Sequence, residues 1–141
     1  MLKEDVTDKR KERHTETQED FTPPEVLSVM FQHIDDNLYT DFSKTFCDPG
    51  TGTGNIFLYV LERRLHNCKT EEDKIRALSS MYGIELMQDN VDECKERIYK
   101  LVGKTPEIEK IVNHNIVCSD FFKWDFENWR PIPEAKSIEL F

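Results

Sequence analysis

Long apolar stretches are missing from this chain of 141 residues. No run approaches the roughly 20 consecutive apolar residues that a membrane span requires, so no membrane role is expected. No apolar stretch follows Met1-Leu2-Lys3-Glu4-Asp5, and no signal peptide is expected. A basic excess is missing too. Lys and Arg number 19 against 28 Asp and Glu, a formal net charge of −9. Proteins that bind nucleic acid unaided usually present a basic face, so this balance argues against free-standing DNA binding. The length admits one domain with one modest core. It leaves no room for a catalytic domain beside a separate recognition domain.

Paired cysteine motifs are absent as well. Cys47, Cys68, Cys94 and Cys118 form no C-x-x-C, and no His stands at a zinc spacing, so no metal site is expected. Cys47 and Cys118 fall in apolar, strand-like runs, where cysteine acts as a small buried hydrophobe. Reduced thiols fit a cytoplasmic protein.

Residues 1–20 are almost wholly polar, which predicts a mobile charged arm. Its two readings are a solvated tail and a basic arm that touches phosphate. Residues 21–141 carry the domain. Val26, Leu27, Met30, Phe31 and Ile34 recur at helical spacing, behind Thr22 as a cap and two prolines. An amphipathic helix over 24–34 follows. Thr45-Phe46-Cys47 reads as a short strand. Asn55 can cap the next helix, with Ile56, Tyr59, Val60 and Leu65 inward. Further helices are expected over 71–80, 88–102 (Val91, Cys94, Ile98 and Leu101 inward, stopped by Gly103) and 106–114. Strands are expected over 82–86 and 115–118. Residues 129–133 read as a loop, and 137–141 as the start of a fourth strand. Strands that alternate with helices call for an α/β fold, a parallel sheet with helices on both faces. Ligands in such sheets bind at the carboxyl ends of the strands.

The residues with chemical potential lie at those ends. Asp48-Pro49-Gly50-Thr51-Gly52-Thr53-Gly54 must turn a strand sharply into a helix. Glycines there let a ligand approach bare backbone at a helix N-terminus. Glu85 closes the second strand, where an acid can accept both hydroxyls of a ribose. Asp120 and Phe121 close the third, where a carboxylate can accept from an adenine amino group and a ring can lie against the base. Each has a plain structural alternative: a tight turn, an exposed acid, a core aromatic. Together they outline an adenosine pocket. The glycine spacing departs from the G-x-G-x-x-G of dinucleotide folds. Asp48 would also repel a pyrophosphate, whereas it could meet a cationic amino-acid tail. Charge therefore favours S-adenosylmethionine over a nicotinamide dinucleotide.

Asp48-Pro49-Gly50-Thr51-Gly52-Thr53-Gly54-Asn55-Ile56 resembles the Asp-Pro-x-x-Gly-Ser-Gly-x-Phe signature of DNA adenine-N6 methyltransferases of restriction–modification type. Phe21-Thr22-Pro23-Pro24 resembles the segment that precedes it in that family. Tyr82-Gly83-Ile84-Glu85-Leu86 and Cys118-Ser119-Asp120-Phe121-Phe122 resemble the next two motifs, in the same order. The resemblance covers roughly residues 15–125. It implies a Rossmann-like methyltransferase fold, shortened at the C-terminus. It also implies a residue set for S-adenosylmethionine. Phe21 and Thr22 would lie near the cofactor, and Asp48, Pro49, Gly50 and Gly52 would hold its methionine part. Glu85 would take the ribose, with Leu86 against the adenine, and Asp120 and Phe121 would hold the base.

The departures bear on activity. Thr51 stands where the family often has cysteine, and the helix over 71–80 is an insertion. The catalytic Asn/Asp/Ser-Pro-Pro-Tyr/Phe motif is not among these residues, so no catalytic residue is assigned. The chain alone is expected to bind the cofactor without methylating. Methyl transfer is either lost in a shortened relative or needs a methyltransferase or DNA-recognition subunit, with DNA reached only through that partner. The alternative is a non-enzymatic regulator or inhibitor that sequesters the cofactor or joins a methyltransferase complex, which the acidic charge suits.

Overall fold

A computed structural model describes residues 24–133. The expected charged arm, Phe21, Thr22 and the expected strand at 137–141 lie outside the described residues.

Three strands form a parallel sheet: β1 (Phe46–Asp48), β2 (Met81–Glu85) and β3 (Ile116–Cys118), in the order β1-β2-β3. Two helices precede β1: α1 (Pro24–Met30) and α2 (Asn37–Thr40). Each crossover carries two helices, α3 (Asn55–Leu65) with α4 (Glu71–Ser79), then α5 (Gln88–Val102) with α6 (Pro106–Asn115). The expected α/β class and the helix expected over 71–80, observed as Glu71–Ser79, are therefore present. After β3 a short 3-10 turn (Phe121–Lys123) leads to an antiparallel pair, β4 (Trp124–Asp125) and β5 (Arg130–Pro131).

Local chemistry sets the helix ends. Thr70 accepts from the Asp73 amide and Thr105 from the Ile108 amide, each satisfying a first-turn donor. Pro106 opens α6, where its missing N–H costs nothing. Gly103 ends α5 at φ 88°, and its amide closes on the Tyr99 carbonyl at 2.8 Å. The core gathers Phe57, Leu58 and Leu61 of α3, Leu78 of α4, Val91, Cys94 and Ile98 of α5, and Ile108 and Val112 of α6 on Met81 and Ile116.

Several expectations need correction. α1 stops at Met30, four residues early, and Val26, Met30 and Ile34 are exposed. The Asp35 carboxylate accepts from the Asn37 amide at 2.9 Å and starts α2 instead, so the chain turns before a longer helix can form. Gly54, not Asn55, is the N-cap of α3. That helix buries Phe57, Leu58, Leu61 and Arg64, while Ile56, Tyr59 and Leu65 are only partly covered. It packs against α1, α2, α4 and α5, so its buried stripe is wider than one face. On α5 the last inward residue is Val102, and Leu101 is exposed. Leu86 lies just past β2 and is exposed. Residues 130–131 are β5 rather than loop. Cys47 and Cys118 are exposed. Cys47 pairs with Tyr82, whose ring packs on Trp129 with centroids 4.8 Å apart, and Cys118 closes β3 at the open carboxyl end.

Arg64 carries a constraint that hydropathy does not show. It is fully buried. Its guanidinium donates to the carbonyls of Leu38 (2.9 Å), Ala77 (2.8 Å) and Lys44 (2.7 Å), and to the Ser80 hydroxyl (2.7 Å). Arg64→Met would strand those oxygens in a dry core. The expected loss is about 3–5 kcal/mol in urea unfolding, and a loss below about 1 kcal/mol would contradict this role.

Candidate functional site

The carboxyl ends of β1 and β2 are joined by hydrogen bonds rather than merely adjacent. β1 ends at Asp48, and the loop to Gly54 folds back over β2. The Thr51 amide donates to the Ile84 carbonyl at 3.0 Å, and the Thr51 hydroxyl shares that acceptor at 3.2 Å. This fold-back requires Gly83. A Cβ there would fall 2.5 Å from Thr51 Oγ1. The loop needs glycine at two of its own positions. Gly52 and Gly54 have φ of 57° and 100°, and a Cβ on Gly54 would fall 2.8 Å from Cys94 Sγ. Gly50 has open space on its Cβ side, and Pro49 beside it is exposed.

Glu85 is the junction. Its side chain is buried, with the residue only 8% exposed. Oε1 accepts from the Gly52 amide at 3.1 Å. Oε2 accepts from the Met87 amide at 2.8 Å and from Asn90 Nδ2 at 3.3 Å. Each carboxylate oxygen has two acceptor positions, so Oε1 retains one for a further donor. The Glu85 carbonyl takes the Ser119 amide at 3.0 Å, which ties in the end of β3.

Asp48 is the second buried acid. Oδ1 accepts from the Gly50 amide at 3.2 Å, and among the described residues the buried Oδ2 has no hydrogen-bond partner. Burial pushes the Asp48 pKa up, the Gly50 amide opposes this, and the Glu85 charge adds to the rise. A buried carboxylate oxygen without a donor is unfavourable unless a ligand supplies one.

Asp120 and Phe121 stand one step beyond β3. Asp120 Oδ1 accepts from the Phe122 amide at 2.9 Å and starts the 3-10 turn, leaving its other oxygen for a further donor. Phe121 is half exposed and touches Phe122 and Phe126, with ring centroids at 5.3 and 5.0 Å. The structure thus binds Asp48, Gly50, Gly52 and Glu85 into one unit. It sets Asp120 and Phe121 at the neighbouring strand end, and leaves Leu86 exposed beside them. Phe21 and Thr22 lie outside the described residues. Sequence reasoning missed Asn90 and Thr51, which hold Glu85 and the loop. A polar residue on the core side of an amphipathic helix was the signal for Asn90.

No family model matches the chain, and no curated protein matches it either. A solved structure does. It is described as a modification subunit of a type I restriction enzyme from Vibrio vulnificus YJ016, with a TM-score of 0.60 at 20% identity. The match covers 87% of this chain and 24% of that one. The chain shares that fold and spans about a quarter of the other protein's length.

The buried acid makes a stability prediction. Folding raises the Asp48 pKa above its ordinary value of 3.8. Above that value the folded state holds more protons than the unfolded one. Stability therefore falls as pH rises from 3.8 to the folded pKa, and stays reduced beyond it. Asp48→Asn should melt like the wild type near pH 3 and at a higher temperature at pH 7, in calorimetry without ligand. A lower melting temperature at pH 7 would refute the uncompensated charge.

Proposed function

We propose that the chain is the S-adenosylmethionine-binding part of a Rossmann-like methyltransferase of the DNA adenine-N6 class. The domain is residues 21–141 of a cytoplasmic protein, behind a charged arm at 1–20. The observation that carries this reading is the bonded unit of Asp48, the glycine loop and Glu85. Its one buried oxygen without a donor suits the cationic amino group of a methionine moiety. Glu85 Oε1 has an acceptor position for a ribose hydroxyl, and the half-exposed Phe121 offers a face to an adenine. The shared fold with a modification subunit supports the same reading.

When bound, S-adenosylmethionine supplies a methyl group on a sulfonium, a good leaving group. The residues here bind and orient it. Asp48 neutralises the amino group, and Glu85 fixes the ribose. Accepting hydrogen bonds from the target amino group and stacking a flipped base belong to the Asn-Pro-Pro-Tyr type of motif. These 141 residues hold no such motif, so we assign transfer and DNA contact to residues beyond these 141, with a partner subunit as one source. The charge of −9 favours a second reading, a regulator that holds cofactor within a methyltransferase complex. Co-purification with an active methyltransferase whose rate it lowers would select that one.

Calorimetric titration with S-adenosylmethionine tests the proposal, and a folded chain that takes up none refutes it. Glu85→Ala should weaken binding by about 1–3 kcal/mol, and unchanged affinity would move the site elsewhere. Tritiated methyl transfer to adenine-containing DNA should be absent for the chain alone.

A further inference from the structure

We propose that Arg97 is a positioning residue, which holds the glycine loop in the shape that receives the methionine end of the cofactor. This rests on the cofactor reading above, and deepens it by assigning an organiser that no motif contains. Arg97 lies on α5, 44 residues from Thr53. Its Nη1 donates to the Thr53 carbonyl at 2.9 Å and to Asn55 Oδ1 at 2.8 Å, with the Thr53 hydroxyl at 3.4 Å. These acceptors straddle Gly54, the left-handed cap where the loop becomes α3. The same helix touches the loop once more, through Cys94 against Gly54. Burial pushes the Cys94 thiol up to about 12, so it contacts the loop as a neutral group. Through Asn90, α5 also holds Glu85.

One helix therefore fixes both halves of the site. Asn90 serves the ribose side, and Arg97 serves the loop. A loop with two left-handed glycines has many open shapes in the absence of a clamp. Charge-assisted bonds from a guanidinium to a carbonyl and an amide oxygen remove that freedom before a ligand arrives. The benefit should fall on the ligand part that the loop touches. A ligand without a methionine moiety should not feel it.

The test compares S-adenosylmethionine with adenosine on the full chain, as wild type, Arg97→Ala and Arg97→Lys. Arg97→Ala should lose about tenfold or more in S-adenosylmethionine affinity, with adenosine within about twofold of wild type. Lysine keeps the charge but not the fork, so Arg97→Lys should fall between. Unchanged S-adenosylmethionine affinity would overturn the assignment. So would an equal loss for both ligands, which would mark a general effect on the fold. A second measurement needs no ligand. Amide exchange at Gly52 and Gly54 should quicken about tenfold in Arg97→Ala, with β2 amides unchanged, and an unaltered loop would overturn the clamp. Should the wild type bind adenosine but not S-adenosylmethionine, the cofactor reading falls and the methionine role with it. The exchange result would then decide the clamp alone.

Discussion

The buried guanidinium of Arg64 is the constraint on which the rest of the fold depends. Its acceptors come from α2, from the approach to β1 and from the end of α4 before β2. One side chain thus sets where two parallel strands begin. The Phe46 amide then meets the Ser80 carbonyl at 3.0 Å, and the register Phe46↔Met81 runs on to Asp48↔Gly83. β1 has three residues, so an error at its start would arrive undiminished at its end. A slip of one residue would send Asp48 to the other face of the sheet. The amino end of the sheet therefore decides the chemistry at the carboxyl end.

Glu85 does the corresponding work at that end, at a different cost. Arg64 is met by neutral oxygens in a closed core. Glu85 and Asp48 are two acids in one buried site, and the Glu85 charge disfavours that of Asp48. Such an arrangement is poor for stability, and strained acids of this kind concentrate where ligands bind. The loop amides and Asn90 compensate Glu85, whereas half of Asp48 is left uncompensated. The asymmetry separates an acid whose two oxygens are both met from one with an oxygen left without a donor among the described residues.

Much of this was legible in the sequence. The alternation of strands and helices gave the class, and the glycine loop, Glu85 and Asp120 marked the strand ends. What escaped was long-range and polar. Arg64 is not singled out in the sequence, because its partners are the Ser80 hydroxyl and backbone carbonyls up to 26 residues away. Arg97 reads as a solvated helix residue for the same reason, its carbonyl partner lying 44 residues away. Cys47 was misplaced because an apolar strand in a parallel sheet is normally covered on both faces, a rule that presumes the second layer. β4 and β5 are two residues each, too short for any periodicity.

That unread hairpin bears directly on Phe121, just beyond the end of β3. Trp129 anchors it, donating from Nε1 to the His114 carbonyl at 2.8 Å and packing on Tyr82 with centroids 4.8 Å apart. From Trp129 the rings run on to Phe126 at 6.0 Å and from there to Phe121 at 5.0 Å. Edge and tilted contacts of this kind hold aromatic rings in fixed relative orientation. Phe121 is therefore propped from behind by a column of rings that starts on the second face of β2. Glu85 reaches the site from the core face of that strand, on the side of Met81 and Gly83, and Tyr82 starts the column from the other. A single five-residue strand thus positions the acid through one face and the aromatic through its opposite.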